Sequence, residues 1–180
     1  MRKLLYVISL AALLCFAFAC QNKAEKAELE RFRTQAKVEE QNIALVKRLI
    51  DELNRGNAEI VKELYAPDLK SYSPSGSTTP TSQNESFELT KAYFNAFPDL
   101  NQTIEELVAS GDKVAVRFIA RGTHKGDFQG IPATGNKMEL SGTVILHIKD
   151  GKIIEERQDT DSLGFMMQLG FELKPKEVKK

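Results

Sequence analysis

The spacing of hydrophobic positions changes character along this 180-residue chain, and each change marks an element. After "MRK" comes an unbroken apolar run, "LLYVISLAALLCFAFA", with no helical face and no alternation. Residues 21–40, "QNKAEKAELERFRTQAKVEE", are charged, lack Gly and Pro, and offer few apolar positions. They predict a solvated helical tether. From Ile43 the apolar residues Val46, Leu49, Ile50 and Leu53 recur at the spacing of one helix face. "NRGN" ends that helix, with Gly56 available for a left-handed cap. "AEIVKELYAPDL" predicts a second short helix stopped by Pro67. The aperiodic "SPSGSTTPTSQNES" predicts a long polar loop. "SFELTKAYFNAFPDL" then predicts a helix that turns Phe87, Tyr93, Phe94 and Phe97 inward and ends at Pro98.

Beyond Leu100 the period drops to two. "QTIEELVAS", Gly111-Asp112 and "KVAVRFIARGTH" predict a hairpin, and "KMELSGTVILHIK", Asp150-Gly151 and "KIIEERQDT" predict another. "DSLGFMMQLGFEL" predicts a short closing helix, and "KPKEVKK" a solvated tail. Helices followed by antiparallel hairpins give an α+β fold. A curved sheet of this kind can wrap around the helices and leave a cavity at its open end, a common place for a small-molecule site.

The ends alter the picture of what is mature. A basic start, an apolar run and small residues before Cys20 predict a secretory signal over residues 1–19. Its "AFAC" ending resembles a lipoprotein signal, which implies lipid on Cys20 and a membrane-anchored protein outside the cytoplasm. An uncleaved anchor or ordinary cleavage are the alternatives. With Cys15 discarded, a lone cysteine excludes an intrachain disulfide and a cysteine metal site. The organisation read from sequence is thus signal 1–19, charged tether 20–40, one domain over 41–172 and tail 173–180. Removing the signal takes two of 25 basic residues and none of 25 acidic ones, so no clustered basic face argues for nucleic acid.

"GIPATGNK", Gly130–Lys137, holds two glycines and a following lysine, the skeleton of a phosphate loop. Such a loop needs Lys-Ser or Lys-Thr directly after its second Gly and then a helix. Here Asn136 intervenes, Met138 follows, and the next stretch is strand-like. The stretch is a turn, not a nucleotide site.

"AFPDL", "GDKVAVRF", "GTHKGDFQGIPATG", "DGKIIEE" and "LGFMMQLG" occur in that order between Ala96 and Gly170. Together they resemble the SnoaL-like polyketide cyclases, a branch of the NTF2-like cone-shaped fold, over about Ile43 to Gly170. The resemblance implies a strand connection for "GIPATG" near the pocket mouth. It also implies ring closure by intramolecular aldol condensation of a polyketide ester, with neither metal nor organic cofactor. That chemistry needs a base beside a carbonyl and a group that tolerates the enolate. Carried over by motif position, Asp161 is the acid/base residue and His124 faces the same cavity. Arg157, Asp159, Phe128 and Phe97 are then the residues expected around a substrate. Arg157 stands where the family commonly has Trp, which implies a more polar cavity or an anchor for an anionic substrate. A His-containing loop of many relatives is replaced here by "YSPSGSTTP".

The residues themselves leave alternatives open. Asp161 can instead cap the helix that starts at Ser162, and Asp159 and Asp161 share a face only if the strand continues. His147 reads as a strand-surface residue, and Arg117 and Arg121 as exposed. Met166 and Met167 read as helix packing, with a cavity-lining role open to them. Three function classes stay open: a cofactor-free acid/base enzyme acting on a small carbonyl compound, a module that binds a lipid or aromatic metabolite without chemistry, and an assembly domain that forms a homodimer.

Overall fold

The computed structural model of the chain describes the backbone of residues 2–172 and 174, with side chains from residue 23 onward except residue 24. The side chains of the expected signal segment 1–19 and of Cys20 lie outside the described residues, as does the tail 173–180 apart from residue 174. The first element, α1, is a helix over Arg2–Asn54. Up to Val38 it belongs to one compact unit, and a second unit runs from Glu39. In the first unit every described side chain is exposed, Phe32 at 62%, with an Arg33–Glu30 ion pair on the helix surface. Among the described residues no helix is long and apolar enough to cross a membrane.

In the second unit, burial begins at Asn42, whose side chain donates to the Gly111 carbonyl (3.0 Å). Val46 and Leu49 follow on the same face and enter the core. Gly56 takes the expected left-handed conformation just past the helix end, with φ 77°. Helix α2, Glu59–Leu64, buries Ile60, Val61 and Leu64.

The expected continuation of α2 through Tyr65 and Ala66 is corrected by the structure. Tyr65–Tyr72 is strand β1, absent from the sequence reading. Pro67 has no amide to donate, which is tolerable because β1 is an edge strand. Its pairing with the strand Lys152–Thr160 also shifts register between Tyr65 and Lys70, bracketing that proline.

Helix α3, Gln83–Ala96, starts inside the stretch expected to be loop. A capping box sets its start: Ser82 accepts from the Glu85 amide, and the Glu85 carboxylate accepts from the Ser82 amide. Ser82-Gln83-Asn84-Glu85 is the sequence form of that box, set within a polar stretch. The remaining strands are β2 Asn101–Ser110, β3 Lys113–Thr123, β4 Lys137–Lys149 and β5 Lys152–Thr160, closed by α4 over Ser162–Gln168. They form one curved sheet of order β1-β5-β4-β3-β2, antiparallel except for β1 beside β5.

One irregularity sets the faces of β5. His147 of β4 pairs with Glu155 while Ile148 pairs with Ile153, so Ile154 is an extra residue. Such a bulge reverses the side-chain alternation beyond it. Ile153 is fully buried, and after the bulge the inward set becomes Glu156, Gln158 and Thr160.

Candidate functional site

Between the sheet and the helices lies a cavity of about 470 Å³, inside the usual range for small-molecule sites. Its wall is mostly apolar: Val46 and Leu49 from α1, Leu89 and Tyr93 from α3, Leu140 and Val144 from β4, Phe165 and Met166 from α4. Hydroxyls and amides such as Ser71, Thr90, Gln102 and Gln158 interrupt it. Glu156 is the one Asp, Glu, Lys, Arg or His among the described lining residues.

Both oxygens of Glu156 are held. The Tyr65 hydroxyl donates to Oε2 (2.7 Å) and the Ser71 hydroxyl to Oε1 (3.3 Å). Tyr65 and Ser71 come from β1, which runs parallel to β5, so the strand missed in sequence carries both partners. Burial pushes the Glu156 carboxyl above its ordinary range, and the two hydrogen bonds pull the other way without cancelling it. Burial, then the neighbouring Glu156 charge, pushes the Tyr65 phenol well above its own.

The structure gives Asp161 another task. Strand β5 ends at Thr160, and the exposed Asp161 side chain accepts from the Gly164 amide (2.9 Å) as N-cap of α4. It is not among the residues lining the cavity, whereas its neighbours Thr160 and Ser162 are. The expectation that Asp161 reaches the cavity is therefore corrected: its short side chain is turned back onto the helix start.

His124 is fully buried, stacked on Phe97 with ring centres 5.2 Å apart. Phe97 in turn meets Phe128 (5.7 Å) and Phe165 (5.9 Å). Phe128 and Phe165 line the cavity; Phe97 and His124 stand one layer behind it. His124 Nδ1 meets the Thr134 hydroxyl (3.1 Å) and accepts from the Thr134 amide (3.4 Å), which leaves Nε2 as the other ring nitrogen. That Nε2 is buried and meets no hydrogen-bond partner among the described residues.

Arg157 and Asp159, expected around a substrate, lie on the opposite face of β5 from Glu156, because the Ile154 bulge reverses the alternation. There they pin the loop that follows β1. Asp159 accepts from the Ser75 amide (3.0 Å) and hydroxyl (2.5 Å). Arg157 donates to the Ser75 carbonyl (3.0 Å), pairs with Glu155 (2.8 Å) and lies over the Tyr72 ring. These hydrogen bonds from Ser75 hold the Asp159 carboxyl below its usual range. Ser73 and Thr81 of the same loop line the cavity, so the two residues act on its wall from outside.

The Gly130 loop connects β3 to β4 and contributes Phe128 and Gln129 to the wall. Phe128 and Ile131 exchange backbone hydrogen bonds (3.0 Å each) across Gln129 and Gly130, whose φ values of 53° and 82° suit a tight hairpin turn. Of the other marked residues, Met166 lines the cavity while Met167 is exposed. Arg117 and Arg121 are exposed and paired with glutamates. Among the described residues no three His, Cys, Asp or Glu are placed to hold a metal ion.

Known proteins share this architecture. Residues 44–169 match the model of the SnoaL-like polyketide cyclase family. The aklanonic acid methyl ester cyclase AcmA of Streptomyces galilaeus is 28% identical over 134 residues, which is 72% of this chain and 91% of that protein. Among solved structures, AclR of Streptomyces galilaeus, a candidate hydroxylase, superposes with a TM-score of 0.67 at 26% identity, covering 74% of this chain and 97% of that one. IdmH of Streptomyces antibioticus, a candidate polyketide cyclase, gives 0.58 at 31% identity, covering 71% and 97%. With the family match spanning well over half of its length, the chain belongs to the SnoaL-like polyketide cyclase family.

Proposed function

We propose that the cavity is the site of a cofactor-independent, cyclase-like acid/base reaction on a small uncharged carbonyl compound. The observation that carries this reading is the composition of the cavity wall: largely apolar, with a single carboxylate and no cation among the described lining residues. Such a wall favours an uncharged ligand and disfavours an anion, because nothing there compensates a second negative charge. The relatives named for a methyl ester, AcmA among them, support the same class. Ring closure within one molecule removes a proton beside a carbonyl and returns one to the new alkoxide, so a single positioned acid/base group serves both halves.

The domain is carried outside the cytoplasm, on a membrane, by lipid on Cys20. Support comes from the basic start, the apolar run and the "AFAC" ending. Two acyl chains anchor stably where one is marginal. In the source cell, Cys20→Ala should move the protein out of the membrane fraction or leave it unprocessed; unchanged membrane association at mature mass would sink this part.

A second reading, ligand binding without chemistry, draws on Asp161 facing outward as a cap. One experiment separates the two. Paired methyl esters and free acids of ring-bearing keto compounds are tested for thermal stabilisation, and incubated samples are searched for isomers of unchanged mass. The proposal expects esters to stabilise, acids not to, and an isomeric product to accumulate. Stabilisation without any product favours the binding module. Acids binding as well as esters contradicts the charge argument.

A further inference from the structure

We propose that Glu156, clamped by Tyr65 and Ser71, is the acid/base residue of this cavity. The inference deepens the reading of the site given above and rests on it. It departs from the position expected from sequence, Asp161.

Three observations carry it. Among the described residues, Glu156 is the only carboxylate in the cavity wall. Its two oxygens are fixed by different hydroxyls of one strand, so the plane of the carboxylate is set before any ligand enters. And Asp161, the competing carboxylate, is engaged with the Gly164 amide on an exposed helix start. Preorganisation of this kind is what a positioned base needs, since a freely rotating carboxylate loses most of its effective concentration. The other titratable side chains of the wall are the phenols Tyr65 and Tyr93, both pushed upward by burial, so neither is ionised near neutrality. Tyr65 keeps its proton and donates it as a hydrogen bond.

The step balances without an added reactant. The Glu156 carboxylate takes a proton from the carbon beside a carbonyl, leaving an enolate and a neutral carboxyl. The enolate carbon attacks a second carbonyl of the same molecule, forming the ring bond and an alkoxide. Glu156 returns its proton to that oxygen. The product is an isomer of the substrate. A desolvated carboxyl with an elevated proton affinity is suited to both transfers.

The test needs no knowledge of the natural substrate. The probe is 2-tetralone, an uncharged bicyclic ketone, whose hydrogen–deuterium exchange beside the carbonyl is followed by NMR in D2O. The full chain is compared with Glu156→Gln, Tyr65→Phe and Asp161→Asn, and binding is measured separately by line broadening. The expected result is exchange faster than buffer with the wild-type protein. Glu156→Gln should lose about a hundredfold or more of the enzymic rate with its binding constant unchanged. Tyr65→Phe should lose less and shift the pH profile of exchange, and Asp161→Asn should match the wild type. Full exchange by Glu156→Gln overturns the inference while leaving the site reading intact. Loss of exchange in Asp161→Asn overturns it in favour of that residue. No acceleration by the wild-type protein overturns the site reading and the inference together.

Discussion

Replacing Asp161 by Ala and by Asn separates a cap from a catalyst, and the geometry gives the size of the effect. The Asp161 carboxylate accepts one hydrogen bond, from Gly164 N at 2.9 Å, at the start of a seven-residue helix. Losing a side-chain N-cap costs about 1 kcal/mol, whereas Asn caps about as well as Asp. Unfolding entropy for a domain the size of residues 39–172 converts about 1 kcal/mol into roughly 3–4 °C of Tm. The loss should be transmitted to the cavity only weakly, because α4 is also held by Phe165 and Leu169, both buried. Asp161→Ala should therefore melt about 3–4 °C below the wild type. Asp161→Asn should melt within about a degree of it. Both should keep turnover within a few-fold. Thermal unfolding followed by circular dichroism, with exchange of 2-tetralone as the activity, reads both quantities. A silent Asp161→Ala melt would refute the cap. A hundredfold activity loss in Asp161→Asn at unchanged Tm would refute the assignment of the chemistry to Glu156.

Three further outcomes follow from the packing and electrostatics. Because the Glu156 carboxyl is raised by burial, its proton is held more tightly in the folded state than in the unfolded one. Its contribution is therefore fully present at low pH and lost as pH rises through the raised value, so the Tm of wild type relative to Glu156→Gln should fall from about pH 4 toward neutral. A difference that instead rises from about pH 4 toward neutral would contradict the cause assigned here. Phe165 meets Phe97 and Phe128 at 5.9 and 5.8 Å, so Phe165→Ala should cost about 3–5 kcal/mol in a chemical denaturation series; a loss under about 1 kcal/mol would show that ring to be loosely packed. Deleting residues 21–37, whose described side chains are all exposed, should change Tm by no more than a few degrees. Failure of that truncated chain to fold would place the segment in the core.

The fold was legible wherever period and turn chemistry agreed. The helical spacing from Ile43, the Gly56 stop, both hairpins and the closing helix all needed only neighbours in sequence. Strand β1 was not legible, because Pro67 and "DLKSY" look like a helix stop and a loop; only pairing with β5, far along the chain, makes them a strand. Losing β1 also hid Tyr65 and Ser71 as partners of Glu156. The site was misread by one further feature, the extra residue Ile154. Straight alternation from Ile153 would turn Arg157 and Asp159 inward, and one bulged residue turns Glu156 and Gln158 inward instead. No local signal in "GKIIEERQ" announces that bulge; it arises from the register between β4 and β5. Phe128 lies at the wall, with Phe97 and His124 one layer behind it. A buried aromatic layer and a cavity wall share the same sequence signature.

The central claim is that the ligand lies inside the cone, against Glu156. The most direct measurement is a crystal structure of the protein with a keto methyl ester that stabilises it. The account predicts ligand density within the cavity, with a carbon beside its carbonyl at the Glu156 carboxylate. Ligand density on the outer face near Arg157 and Asp159, or inside the cavity but turned away from Glu156, would contradict it.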